Sequence, residues 1–357
     1  MKVDDVIAAD PRTVATKARD AEAMGHSGAW IAETQHDPFL ASLLAAEHTE
    51  CIDIGTSIAV AFARNPMSVA VTANDLQLFS NGRFVLGLGS QVKAHVERRF
   101  SMTWSKPAAR MREFVLALRA IWSSWHDGSK LDFCGEYYTH TLMTPFFSPG
   151  ENPFGAPRVY LAGVGERMTE VAGETCDGFF VHAFSTERYL RNVTLPALAR
   201  GRSRAASDAA ACEVMATVFV ATGSNESEYA NAVRATKRQL GFYASTPAYR
   251  SVLELHGWAE LQTELGALAK EGRFDELERV VPDEVLCEFA VVGAPSDVGP
   301  EIVRRYGGLI DRVSFYTPYK INSELVAGIR CDVTAAPANR PEQRMSTAGA
   351  QDHPMST

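Results

Sequence analysis

The stretch Glu33-Thr34-Gln35-His36-Asp37-Pro38 sets an imidazole beside two carboxylates. Histidine changes charge near neutral pH, so His36 suits moving a proton on a substrate oxygen, with Asp37 or Glu33 orienting its ring. The same side chain also suits capping the next helix or satisfying a loop carbonyl. A second segment, Ala162-Gly163-Val164-Gly165-Glu166-Arg167, is a small-residue turn opening a helix. Backbone N–H groups and the helix dipole make such a turn receptive to phosphate, although glycines there serve close strand-to-helix packing equally well. A third, Ile54-Gly55-Thr56-Ser57-Ile58-Ala59-Val60, carries small residues against which a flat ring could lie, or which pack a barrel interior.

Other chemistries find no residues to carry them. Gly87-Leu88-Gly89-Ser90-Gln91 lacks the third glycine of a Rossmann fingerprint, which disfavours a nicotinamide domain. No histidine pair stands at metal-ligand spacing, and neither a nucleophile elbow nor a Walker loop occurs, so no metal site is expected. Six cysteines lie far apart without a Cys-x-x-Cys, and read as free thiols.

These segments need a frame that brings them together. Strand-like runs at 2–8, 28–32, 52–60, 84–89, 159–162, 179–182, 214–220 and 312–316 alternate with helix-like runs. Most of the strands are apolar throughout, as expected where helices cover one face and packed side chains fill the other. Asp10-Pro11 and Asn65-Pro66 offer a capping side chain before a first-turn proline. Met111, Val115, Leu118, Trp122 and Trp125 form one helical stripe. The pattern predicts an α/β fold, a (β/α)8 TIM barrel, as a single domain over residues 1–330. Its site lies on the rim at the carboxyl ends of the strands. Segments 127–157 and 244–287 exceed a plain connection and are expected to shape the substrate site, the first as a hairpin and lid strand, the second as added helices. Residues 331–357 lack periodicity and read as a disordered tail.

The net charge of −8 argues against nucleic-acid and anionic-membrane partners. Neither a leader sequence nor a membrane span is apparent, so a cytoplasmic location is expected.

Taken together, Ala29-Trp30-Ile31-Ala32-Glu33-Thr34-Gln35-His36-Asp37-Pro38, Ile54-Gly55-Thr56 through Arg64-Asn65-Pro66, Gly82-Arg83-Phe84-Val85-Leu86-Gly87-Leu88-Gly89-Ser90, Tyr160-Leu161-Ala162-Gly163-Val164-Gly165, Cys176-Asp177-Gly178 and Phe289-Ala290-Val291-Val292-Gly293-Ala294-Pro295 resemble the luciferase-like monooxygenase superfamily, especially its deazaflavin-dependent branch. The resemblance spans about residues 1–330 and implies a barrel of the bacterial-luciferase-like type with insertions.

It further implies a flavin-like ring beside Ser57, Ile58 and Ala59, with a non-prolyl cis peptide behind it. The cofactor phosphate would lie near Ala162, Gly163, Val164 and Gly165, and Ser90, Gln91, His95 and His182 would also contact the cofactor. His36 and His95 would be the catalytic groups. Members that oxidise sugar phosphates pair the histidine with a glutamate after the fourth strand. Val92 stands at that place here, which argues against a sugar-phosphate substrate and leaves His95 or Glu97 as neighbouring replacements.

The implied activity is hydride transfer between coenzyme F420 and a small organic substrate. The alternative is an FMN-dependent monooxygenase using reduced flavin and oxygen, and a third reading is a barrel that binds its cofactor without turnover. A homodimer is expected.

Overall fold

A computed structural model describes residues 1–205 and 211–336 of the chain. Eight parallel strands form the barrel: β1 (Lys2–Ala8), β2 (Gly28–Ala32), β3 (Asp53–Thr56), β4 (Phe84–Gly89), β5 (Arg158–Ala162), β6 (Gly178–Val181), β7 (Glu213–Ala221) and β8 (Arg312–Tyr316). Each pairs with the next, and β8 closes the ring on β1 with Lys2 opposite Arg312. The eight expected strands are present, with ends displaced by a residue or so except in β3. There the expected run 52–60 breaks after Thr56. A cis Ser57–Ile58 peptide follows, and Ala59–Val60 then rejoins the sheet against Leu88 and Gly89 of β4.

Side chains alternate across each strand, so Asp4, Val6 and Ala8 of β1 share the inward face. At the amino end Arg312 is fully buried. It donates to both oxygens of Asp4 at 2.7 Å and to Asp53 at 2.6 Å, while Arg158 donates to the other oxygen of Asp53. Tyr160 bonds Glu213 through its hydroxyl. Above these charges lies an aromatic layer, in which Trp30 stacks on Tyr160 with centroids 5.8 Å apart and meets Phe180 edge-on at 5.2 Å. Above the aromatics the filling stops: Val6, in the middle of β1, is 45% exposed, and Ala8 is exposed as well. The barrel is therefore packed over its lower part and open at the carboxyl end.

The outward faces bury against helices, as the stripe from Met111 to Trp125 predicts; that helix spans Pro107–Asp127. The two insertions part company. Segment 127–157 does contain a hairpin, Phe133–Cys134 with Thr139–His140, strapped to the flank of this helix by Glu113, whose carboxylate accepts from the N–H groups of Glu136, Tyr137 and Tyr138. Its later part turns away from the rim. Asn152 binds Asn74, and Phe154 packs on Gly82 in the turn before β4, at the closed end. The expectation that all of it shapes the site is thus corrected.

The second insertion is helical and sits over the rim. Helices Arg250–Leu255, Ala259–Lys270 and Asp283–Phe289 accompany Glu226–Ala244, and the strand Ala290–Val292 pairs with the upper end of β7. At the C-terminus a helix runs over Ser323–Ala335, so residues 331–335 of the expected tail are ordered. Residues 337–357 lie outside the described residues. All six cysteines are free, and among the described residues no helix is long and apolar enough to cross a membrane.

Candidate active site

Because the strands are parallel, the loops after β2, β3, β4, β5 and β6 emerge at the same end. This brings His36, Ser57 to Ala59, Ser90 to His95, Gly163 to Gly165 and His182 to one rim. The loop after β2 is tightly held at both ends. Glu33 accepts from Val60 N–H and Arg64, each at 2.7 Å, and Asp37 caps the helix Pro38–Glu47 by accepting from Phe39 and Leu40 N–H. Both carboxylates are thereby committed, and neither orients the His36 ring as the sequence suggests; it is Asp37, not His36, that caps the helix. The His36 ring is exposed and bonds no described residue. Asp10, just beyond β1, lies near enough to feel its charge; Arg12 bonds first, with His36 a minor influence, hold the Asp10 carboxyl at about 2.

On the neighbouring loops, Ser57 N–H donates to Ile31 O at 2.7 Å, and the Ile58 side chain rests on Gly89, where a Cβ would come within 2.8 Å of it. Gln91 adopts φ +58°, and its side-chain oxygen lies 3.2 Å from His95 Nδ1. The Ser90 hydroxyl donates to the carbonyl of Gln91. Arg99 donates to Thr34 O at 2.7 Å, tying the loop that bears His95 to the one that bears His36. Val92 is exposed between them.

The turn after β5 separates its two glycines by role. At Gly163 a Cβ would lie 2.4 Å from Met168 Cγ, so this glycine permits close packing. Gly165 has φ +85°, open space around it, and the first position before the helix Glu166–Thr175. Its neighbouring N–H groups are the orphan donors of a helix start. Arg167, exposed, has no partner among the described residues. Facing the turn across a cavity of about 30 Å³ is Ser185, whose buried hydroxyl has no hydrogen-bond partner among the described residues. An open left-handed glycine, helix-start amides and an orphan hydroxyl lining one cavity together fit a phosphate. Ser185 escapes sequence reading because nothing in its spacing marks it.

His182 lines the same cavity, but both its nitrogens are engaged. Phe184 N–H donates to Nδ1 at 3.0 Å, which leaves Nε2–H to donate to Tyr249 at 3.0 Å in the neutral ring. The ring stacks on Tyr249 and meets Tyr243 edge-on, and burial lowers its pKa to about 4. It joins the rim to the helical roof as a neutral group. Among the described residues no cluster of His, Cys, Asp or Glu could hold a metal.

Comparison with known proteins agrees with the barrel fold. A Mycobacterium tuberculosis protein, itself described as uncharacterized, is 51% identical over 313 residues, covering 88% of this chain and 92% of its own. The 5,10-methylenetetrahydromethanopterin reductase of Archaeoglobus fulgidus is 27% identical over 289 residues, covering 78% of this chain and 81% of its own. Among solved structures, the coenzyme F420 dependent tetrahydromethanopterin reductase from Methanopyrus kandleri superposes with a TM-score of 0.75 at 19% identity, over 93% of this chain and 98% of its own. Residues 3–312 match the family described as luciferase-like monooxygenase, and the chain belongs to that family.

Proposed function

We propose that this protein is an oxidoreductase that binds coenzyme F420 and works on a small organic substrate. The observation that carries the reading is the open upper barrel around Val6 and Ala8, flanked by a phosphate-suited turn at Gly165 and by the exposed imidazole of His36. The coenzyme F420 dependent reductase that shares this fold supports this choice of cofactor. When bound, the deazaflavin supplies a hydride donor or acceptor and does not activate oxygen.

The chain's own residues do the rest. Backbone amides of the Val164 to Arg167 turn, with Ser185, hold the phosphate. Ser57, Ile58 and Ala59 back the ring, and the inward small residues Val6, Ala8 and Ala32 leave room beside it. His36 takes the proton from a substrate hydroxyl as the carbon is oxidised, or returns it to the oxygen in reduction. The helical roof, joined to the rim at His182, limits water.

A second reading, an FMN-dependent monooxygenase, is favoured by the family's own description. Titrating the apoprotein with F420 and with FMN under anaerobic conditions separates the two. Quenching of F420 fluorescence with micromolar affinity and oxygen-independent turnover is the expected result. Tight FMN binding without an F420 response, together with oxygen consumption, overturns it. His36→Ala distinguishes an enzyme from a passive cofactor carrier: turnover should fall while cofactor affinity stays the same.

A further inference from the structure

His36 sits inside a short segment whose two ends are gripped by a single guanidinium. Arg64 Nη1 donates to Glu33 Oε2 at 2.7 Å, and Nη2 donates to Asp37 Oδ2 at 3.1 Å. The Glu33 side chain is 7% exposed, so its charge needs this partner. Arg64 is itself braced over the Phe39 ring, 5.2 Å from its centroid.

The same residues also hold the strand beyond the Ser57–Ile58 peptide. Glu33 N–H donates to Ile58 O at 3.3 Å, Glu33 Oε2 accepts from Val60 N–H, and Arg64 Nη1 reaches Val60 O at 3.2 Å. Asp37 keeps its other oxygen for the helix cap. Between these fixed points Thr34, Gln35 and His36 are exposed toward the rim. The loop carrying the imidazole and the backbone of Ile58 to Val60 are therefore joined through one buried carboxylate and one guanidinium.

We infer that Arg64 is a positioning residue, setting the distance between the His36 imidazole and the Ser57 to Val60 segment, and hence between proton transfer and hydride transfer. The inference rests on the oxidoreductase reading above, because it is there that the two distances must agree. Arginine is required by geometry: its planar fork spans two carboxylates, whereas an ammonium reaches one well.

The test uses the full-length protein with Arg64→Ala, Arg64→Lys and Asp37→Asn. Asparagine caps a helix as well as aspartate does, so Asp37→Asn removes the charge contact and leaves the cap. Each variant is assayed below its melting temperature for kcat, KM and F420 affinity. Ring signals of isotope-labelled His36 are recorded in the apoprotein. Arg64→Ala should lower kcat about 100-fold, as expected for a misplacement near 1 Å, with KM within about threefold. Arg64→Lys and Asp37→Asn should fall between it and the wild type. The His36 ring signals should shift and broaden in Arg64→Ala without cofactor, and added methylguanidinium should restore part of the lost rate.

Wild-type kcat and unchanged His36 signals in folded Arg64→Ala would overturn the inference and leave Arg64 a stabilising residue only. If the His36 signals move but His36→Ala itself retains turnover, the clamp stands and the proposed role of His36 falls.

Discussion

The Thr56 hydroxyl donates to Gly87 O at 2.7 Å and accepts from Gly87 N–H at 2.9 Å, standing in for the backbone ladder where β3 leaves β4. A Cβ on Gly87 would lie 1.7 Å from Thr56 O, so no side chain can enter without parting the two strands. Thr56→Val should destabilise the fold by about 2–3 kcal/mol, since it strands two buried backbone groups, while Thr56→Ser keeps both bonds and most of the stability. Gly87→Ala should yield little folded protein. Urea unfolding measures the first pair, and equal midpoints for the valine and serine variants would refute the argument.

Around Gly165 the prediction concerns affinity more than stability. Ser185→Ala removes a hydroxyl that has no protein partner, so the apoprotein should be no less stable, yet cofactor binding should weaken about fivefold to thirtyfold through one lost phosphate hydrogen bond. Gly165→Ala, at φ +85°, should cost about 1 kcal/mol in the apoprotein and distort the turn. Calorimetric melting and fluorescence titration read both effects. A Ser185→Ala variant that melts lower and binds normally would place the hydroxyl in the protein's own packing.

The scaffold was legible because its signals are local. Apolar strand runs, the Asn65-Pro66 helix start and the Met111 to Trp125 stripe each lie within one element, and closure follows once eight such strands alternate with helices. The expected start at Asp10-Pro11 is displaced: Asp10 turns to Arg12, and the helix begins at Val14 without a side-chain cap. The site was legible only as positions on a rim. That Glu33 pairs with Arg64, that Asp37 caps instead of orienting His36, and that Ser185 faces the Gly165 turn all depend on which loops lie side by side, a property of the closed barrel. The openness around Val6 was hidden for the same reason: a valine in an apolar strand reads as core until the opposing interior residues are known. The path of 127–157 toward the closed end likewise hangs on Asn74 and Gly82, neither adjacent in sequence.

His182 makes stability depend on acidity. Burial holds its pKa at about 4, against 6.5 for an ordinary histidine, so the folded protein keeps the ring neutral while the unfolded chain takes up a proton below about 6.5. Its contribution is therefore complete above that pH and disappears progressively as the pH falls toward 4, by about 3 kcal/mol in all. Protonated Nδ1 would also face the Phe184 N–H, donor against donor. Wild type and His182→Gln should converge in melting temperature between pH 7 and pH 4.5. A constant difference across that range would mean the imidazole is already solvated.

At the closed end, Arg312 is fully buried among Asp4, Asp53 and Glu213 and lies over the Trp30 ring. Arg312→Met should cost about 3–5 kcal/mol, because it leaves the buried Asp4 carboxylate without its counter-charge, whereas Asp53 keeps Arg158. Adding Asp4→Asn to Arg312→Met should recover part of that loss. Chemical denaturation of the two variants decides the point, and a double variant no more stable than the single one would locate the penalty in packing.

The helices Pro38–Glu47 and Pro66–Phe79 lie side by side on the outside of the barrel and carry several apolar side chains on their outward faces. Leu40 is 66% exposed and Phe79 49%, with Leu43, Val71, Leu78 and Phe154 also open to solvent. A surface helix normally turns a polar face outward, and large apolar side chains left open to solvent on adjacent helices mark an interaction surface. Across a twofold axis each copy would present the same leucines and phenylalanines to the other. The expected species at micromolar concentration is accordingly a homodimer, and Leu40→Lys with Leu78→Lys should give a folded monomer, since neither side chain supports the core. Sedimentation velocity on both proteins is the measurement. A wild-type chain that sediments as a monomer, or a lysine variant that remains dimeric, would exclude this face as the contact.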